Sequence, residues 1–301
     1  MRVSRRYVWP LAVAALLGLT ACVSTWDISS PTPSASPAQE PLKQAVSALS
    51  DGQRIDGQQI DAQQVLAPSG VLRVGVYLGS PTSWVRDAKT GQSRGVALEL
   101  GYALGQQLGV PVQVVEYPRV AEVLVGLRAG QVDMTFTNAS PARAQEVDFT
   151  PTLIQLELGV LVPANSRIQS FADVDRAGVR LGVSQGSSSQ GVLGTRLKQT
   201  TVAPVASLSV AQQMLQRGEL DAFATNKGIL FELAAQVPGA QVLQDRWGLE
   251  NLAIAIPKGR ERGMPYLRDF AQARKQQGDV KRMADRAGLR GLATSESQPK
   301  E

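Results

Sequence analysis

The stretch Gln131–Thr150 reads QVDMTFTNASPARAQEVDFT, and it runs from a strand through a turn into the start of a helix. Val132–Thr137 is a short apolar and β-branched run of the length of a buried strand. Before it, Val120, Val123, Leu124 and Leu127 fall at i, i+3, i+4 and i+7, one face of a helix that Gly130 stops. After it, Ser140 and Pro141 combine a capping serine with proline at the first helical position. Arg143 therefore lies in the first helical turn, where a cation opposes the helix dipole and stability does not select it. A guanidinium there can grip a carboxylate at two points beside free backbone N–H groups. The alternative is an arginine held in a surface salt bridge.

Outward from this stretch, two kinds of element alternate. Val71, Leu72, Val74 and Val76 make a strand, Leu100, Ala103, Leu104 and Leu108 share a helical face, and Val112–Val115 is a second strand. Strand, helix, strand, helix, strand implies parallel pairing with helical crossovers. Trp84, in the loop after the first strand, is either a wall of a cleft or an apolar plug under the loop, with Ser83 a polar neighbour. A second alternation follows Pro163: a strand at Val179–Val183, a helix through Leu193 and Leu197, a helix from Ser209 with Gln212 as a capping box, and a strand at Leu220–Thr225. The chain then runs through a strand at Leu252–Ile256 into two helices carrying Leu267, Phe270, Val280, Met283 and Ala287.

The halves share a repeat. Leu127, Gly130, Asp133, Thr137 and Asn138 recur at a constant offset as Leu215, Gly218, Asp221, Thr225 and Asn226. Glycine after a helix is common before any strand, but the paired Thr-Asn endings are not explained that way. Each half thus offers an asparagine at the carboxyl end of a strand, the edge where open α/β sheets bind ligands. Gln185, Gly186, Ser187, Ser188 and Ser189 sit between strand and helix, a place for an anion nest or for simple capping. They lack the spaced glycines and lysine of a P-loop.

Composition narrows the chemistry. The 301 residues contain no histidine and one cysteine, Cys22. That excludes imidazole-based triads, Cys-His nucleophiles, ordinary zinc sites and an internal disulfide. Arg2, Arg5 and Arg6 precede an apolar run from Val8 to Leu19, the layout of a signal peptide over 1–21. Leu19, Thr20, Ala21 and Cys22 resemble a bacterial lipobox, which makes Cys22 the lipidated first residue of the exported chain. Three of the 31 basic residues and none of the 26 acidic ones lie in that leader, leaving a formal charge of +2, which does not suggest a nucleic-acid partner. The basic residues from Lys258 to Arg290 are interleaved with Glu261, Asp269, Asp279 and Asp285, as on a solvated face. Residues 22–66, rich in Ser, Pro, Ala and Gln, read as a flexible tether, and 293–301 as a disordered tail.

From about Gly70 to Gly291 the chain resembles the family 3 bacterial extracellular solute-binding proteins, typified by polar amino-acid receptors of ABC importers. The stretch quoted above is similar to that family's aspartate, strand, Thr-Pro-Glu-Arg and Asp-Phe-Ser run. GVSQGSS, ending at Ser188, and GELDAFATN, ending at Asn226, resemble its segments from the second lobe. The resemblance implies an α/β, two-lobed periplasmic-binding-protein fold of type II, each lobe a mostly parallel sheet flanked by helices. Lobe 1 is 67–158 with 254–292, lobe 2 is 159–253, and the hinge lies near Leu156–Val162 and Leu249–Ile254. It implies Arg143 as the ligand-carboxylate arginine, Ser140 assisting, and Ser187 and Ser188 reaching the same carboxylate from the other lobe. Asn138 and Asn226 close the two repeated strands, with Trp84 and Ser83 as further ligand-side candidates. Implied partners are a small solute, a membrane ABC permease and the membrane itself through Cys22, with the protein a monomer without cofactor.

Two departures from the family stand out. The segment Asp133–Ser140 is shorter than usual, and Asn226 replaces the aspartate that ordinarily holds the ligand's ammonium. A neutral amide forms a weaker bond to an ammonium than a carboxylate does, about 0.5–1.5 against 1.5–3 kcal/mol. An ordinary α-amino acid is therefore expected to bind weakly, unless Glu250 supplies a displaced charge. The rival readings are a cyclohexadienyl dehydratase-like enzyme, for which Glu99 and Glu250 are the available acids, and a ligand-sensing subunit.

Overall fold

The computed structural model describes residues 59–87 and 90–293. The signal peptide, Cys22, most of the tether and residues 294–301 lie outside the described residues. Helical residues 59–66 (α1) lead into β1 (Leu72–Tyr77), the short strands β2 (Val85–Arg86) and β3 (Ser93–Arg94), α2 (Val96–Leu108), β4 (Val112–Tyr117), α3 (Val120–Arg128) and β5 (Thr135–Asn138). Then come α4 (Pro141–Ala144), β6 (Val147–Phe149), β7 (Ile154–Val162), β8 (Arg180–Ser184), α5 (Ser188–Arg196), β9 (Thr201–Val205), α6 (Leu208–Gln216) and β10 (Ala222–Asn226). The described chain closes with α7 (Lys227–Ala234), β11 (Gln241–Val242), β12 (Gly248–Pro257), α8 (Met264–Gln276) and α9 (Asp279–Arg286).

The tether ends earlier than its composition suggests. Ala62, Val65 and Leu66 are spaced i, i+3, i+4, and Ala62 and Leu66 are buried in the core that also holds β1 and α2. That apolar stripe binds 59–66 to the folded body, because each buried leucine contributes about 1.5–3 kcal/mol. At the other end, Ala293 N donates to Gln155 O at 3.0 Å and Glu157 N to Gly291 O at 2.9 Å, so the chain remains paired with β7 up to residue 293.

Parallel pairing joins β1 to β4, β8 to β9 and β8 to β10, as the alternation of elements predicts. The expectation of a separate, mostly parallel sheet in each half is corrected. β5, β12, β7, β10, β8 and β9 form one hydrogen-bonded path, and every contact made by β7 and β12 is antiparallel. The cause is the length of these two strands, 9 and 10 residues, which pair with each other and run from one part of the core into another. On β7, Ile154 and Leu156 belong to the cluster containing β1, α2, α8 and α9, whereas Leu158, Val160 and Val162 belong to the cluster containing Leu181, Val183, Leu193 and Trp247.

Close packing explains two glycines of α2. A Cβ on Gly101 would lie 2.5 Å from Val74 Cγ2, and one on Gly105 would lie 2.3 Å from Val112 Cγ2, so both let the helix lie directly on β1 and β4. The predicted cap of α6 moves by two residues: Ser207 Oγ accepts from Val210 N at 3.2 Å, and Ser209 lies inside the helix. The repeat is structural as well as textual. Asp133 accepts from Arg73 N and Nε at 2.8 and 2.9 Å, and Asp221 accepts from Arg180 N and Nε at the same two distances.

Candidate functional site

β5 delivers Thr137 and Asn138 to the edge of a cavity, and the chain turns there into α4. Ser140 Oγ accepts from Arg143 N at 3.4 Å, the cap that Ser-Pro predicts. The Arg143 side chain turns inward and is 8% exposed. Its Nη1 donates to Thr137 Oγ1 at 2.9 Å and to Asn138 O at 3.3 Å. Among the described residues it forms no ion pair, so a buried guanidinium faces the cavity with donors to spare.

The opposite wall comes from the second half of the repeat. Asn226 ends β10 and caps α7, its Oδ1 accepting from Ile229 N at 3.0 Å. That bond fixes the amide's orientation, and Nδ2 donates to Glu250 Oε2 at 3.1 Å. Ser187 caps α5 by accepting from Gln190 N at 3.2 Å, and Ser188 Oγ donates to Glu250 Oε1 at 3.3 Å. Asn138 Nδ2 donates to Ser188 Oγ at 3.3 Å, while Asn138 Oδ1 accepts from Asn251 N at 3.2 Å. The two asparagines are thus tied to both sides of the cavity and to β12.

Glu250 is 7% exposed and, among the described residues, makes no ion pair. Burial pushes its carboxyl above the ordinary value, opposed by the Arg143 charge and by the bonds from Asn226 and Ser188. Burial likewise pulls the Arg143 guanidinium down, opposed by Glu250, Tyr77 and Glu146. Tyr77 is raised by burial, opposed by Ser80, Thr82 and the Arg143 charge. The cavity is narrow and partly open to solvent, with a volume of about 30 Å3 against the roughly 300–1,000 Å3 of small-molecule sites. Apolar walls are supplied by Phe136, Leu208, Ile229 and Leu252.

The two halves of the chain also touch at other points. Arg119 Nη1 donates to Ala206 O at 3.2 Å, Arg94 Nη2 to Glu232 Oε2 at 3.0 Å, and Gly186 lies against Ala121. Of the residues singled out from the sequence, Arg143, Asn138, Ser187, Ser188 and Asn226 line the cavity together. Ser140 acts as a cap outside the lining. Trp84 is buried in the core outside the lining, and Ser83 Oγ accepts from Tyr77 N at 2.9 Å behind the site. Glu99 pairs with Arg286 outside the lining, so of the two nominated acids only Glu250 faces the cavity. Tyr77, Thr82 and Arg119 had no signal in the sequence, and Thr137 had only its place in the repeat. Among the described residues no cluster of three or more His, Cys, Asp or Glu side chains could hold a metal ion, and no helix is long and apolar enough to cross a membrane.

Comparison with known proteins places this geometry. The profile described as bacterial extracellular solute-binding proteins, family 3, matches residues 72–288. A glutamine-binding protein of Geobacillus stearothermophilus is 24% identical over 196 residues, covering 63% of this chain and 73% of the relative. The solved solute receptor for L-cysteine of Neisseria gonorrhoeae superposes with a TM-score of 0.67 at 24% identity, covering 78% of this chain and all of that one (100%). An amino acid ABC transporter substrate-binding protein of Streptococcus pneumoniae, solved with L-arginine bound, gives 0.68 at 17% identity over 74% of this chain and 97% of that one.

Proposed function

The chain belongs to the bacterial extracellular solute-binding proteins, family 3, and we propose that it captures a small, carboxylate-bearing amino acid or amino-acid-like solute between two lobes and delivers it to a membrane ABC importer. The observation that carries this reading is Arg143, buried at the cavity and, among the described residues, without an ionic partner. A buried charge left unpaired is costly, and a ligand carboxylate supplies the missing partner. Function is capture rather than conversion, which the family's description as solute-binding proteins supports. The relatives bind glutamine, cysteine and arginine by their descriptions, which supports the amino-acid class.

Lobe 1 comprises 67–158 and 254–292 and lobe 2 comprises 159–253, with β7 and β12 as the hinge. The change of core cluster along β7 between Leu156 and Leu158 supports that division. Residues 291–293 pair with β7 beside this hinge. Ligand contacts split between lobes favour the closed form, and closure shapes the surface that a permease reads. The leader-like start and Cys22 support a folded body held outside the cell membrane by a lipid anchor. The test is calorimetry with a panel of amino acids on native protein and Arg143→Ala. Loss of a charge-assisted pair in a closed cleft should weaken binding about 30-fold or more. Unchanged affinity in the variant refutes the assignment.

A further inference from the structure

We propose that Glu250, on the second crossing strand, reads the ligand's ammonium, so that the site selects zwitterionic amino acids with uncharged side chains over deaminated acids and over cationic amino acids. The inference rests on Arg143 as the carboxylate anchor. It assigns the ammonium site to a position other than 226, where the family resemblance places an acid.

The charged groups lining the cavity are Arg119, Arg143 and Glu250. Arg119 is already engaged, with Glu122 at 2.6 Å and Ala206 O at 3.2 Å. Arg143 and Glu250 remain, each more than nine-tenths buried and, among the described residues, outside any ion pair. They carry opposite charges into one cavity whose sum is zero. A zwitterion placed between them satisfies both. An anion without an amine satisfies Arg143 but adds a negative charge beside Glu250, and a cationic side chain finds no second free carboxylate in the lining.

Asn226 has a different task from the acid it replaces. Its Oδ1 is committed to the Ile229 amide, so the atom turned toward the cavity side is a donor that repels an ammonium. That donor binds Glu250 Oε2, and Ser188 binds Oε1. Each carboxylate oxygen accepts one hydrogen bond and keeps capacity for another. The neutral amide thereby holds the carboxylate that does the reading.

The experiment titrates native protein with the standard L-amino acids and with propionate, 3-mercaptopropionate and glutaramate, the deaminated forms of alanine, cysteine and glutamine. Arg143→Ala, Glu250→Gln and Glu250→Asp are run alongside. The tightest ligand should be a neutral zwitterion, with the deaminated forms about 30-fold weaker or more. Glu250→Gln should reduce that discrimination to a few-fold, and Glu250→Asp should retain part of it. Deaminated acids bound as tightly as their parents, L-arginine or L-lysine bound most tightly, or full discrimination in Glu250→Gln each overturns the inference. If Glu250→Gln does not fold by circular dichroism, the native comparison decides alone. Failure of the Arg143 reading looks different: no panel member binds, or Arg143→Ala binds them all as the native protein does.

Discussion

Asn226 donates from Nδ2 to Glu250 Oε2 at 3.1 Å, joining the last residue of β10 to the third residue of β12 inside the cavity. One side chain thereby caps a helix and fixes a buried carboxylate. The pairing ties the proposed hinge strand to the proposed second lobe.

The first prediction concerns pH. Glu250 titrates above its ordinary value because burial outweighs the Arg143 charge and its two hydrogen bonds, with Tyr77 also facing it. Between the ordinary and the raised value the folded protein holds a proton that the unfolded chain has released, so this group's contribution to stability falls as pH rises through that window. Thermal unfolding of native protein and Glu250→Gln across the window should show the difference, with the variant's curve lacking that fall. A zwitterion favours the ionised carboxylate, so its affinity should drop as pH falls below the raised value. A pH-independent affinity contradicts the role.

Closure should depend on Gly186. It adopts φ +72, and a Cβ there would stand 2.6 Å from the Ala121 Cβ of the other half of the chain. Gly186→Ala adds backbone strain of about 1–2 kcal/mol and a clash that exists only when the two sides meet. Ligand affinity should fall about tenfold or more, whereas Gly191→Ala, with nothing within 4 Å, should bind as the native protein does. Equal affinity in both variants would mean that this contact does not accompany binding.

The repeated aspartates should differ in stability. Asp133 has a fully buried side chain (0% exposed) and accepts from Arg73 and from Arg260 Nη1, the latter at 2.8 Å. Asp133→Ala removes a fully buried carboxylate from two half-buried arginines and should cost about 3–5 kcal/mol. Asp221, whose side chain is 36% exposed, makes the matching contacts with Arg180 at the surface. Its replacement by Ala should cost no more than about 1 kcal/mol. Chemical denaturation of the two variants measures the contrast, and similar losses would show that burial does not set the scale here.

What could be read in advance follows from how local each feature is. Ser140, Pro141 and Arg143 are contiguous, and their cap forms as written. The repeat was visible because Asp133 and Asp221 each need the same arginine partner, and Thr137 and Asn138 the same strand end. α7 leaves little local signal because Asn226 serves as the strand's last residue and the helix cap at once, with no breaker between them. β9 is half-buried and carries Pro204, which weakens its strand pattern. Glu250 has no motif, since its place at the cavity depends on β12 pairing with β7 in the register that sets Glu250 opposite Leu156. Trp84 could not be assigned by spacing, because a plug and a wall need the same residue.

The anchor is tested separately from the fold. Each buried methylene contributes about 0.8 kcal/mol, so several acyl chains on Cys22 should hold the protein at a membrane. Cys22→Ser should appear in the soluble fraction of the producing cell. Fractionation with membranes as before would contradict lipidation at this residue.

The most direct measurement is a crystal structure of the protein with the tightest-binding amino acid of the panel. The account predicts the ligand carboxylate on the Arg143 guanidinium and its ammonium closer to Glu250 than to any other carboxylate. A ligand bound outside this cavity, or one with its amine directed away from Glu250, would contradict it.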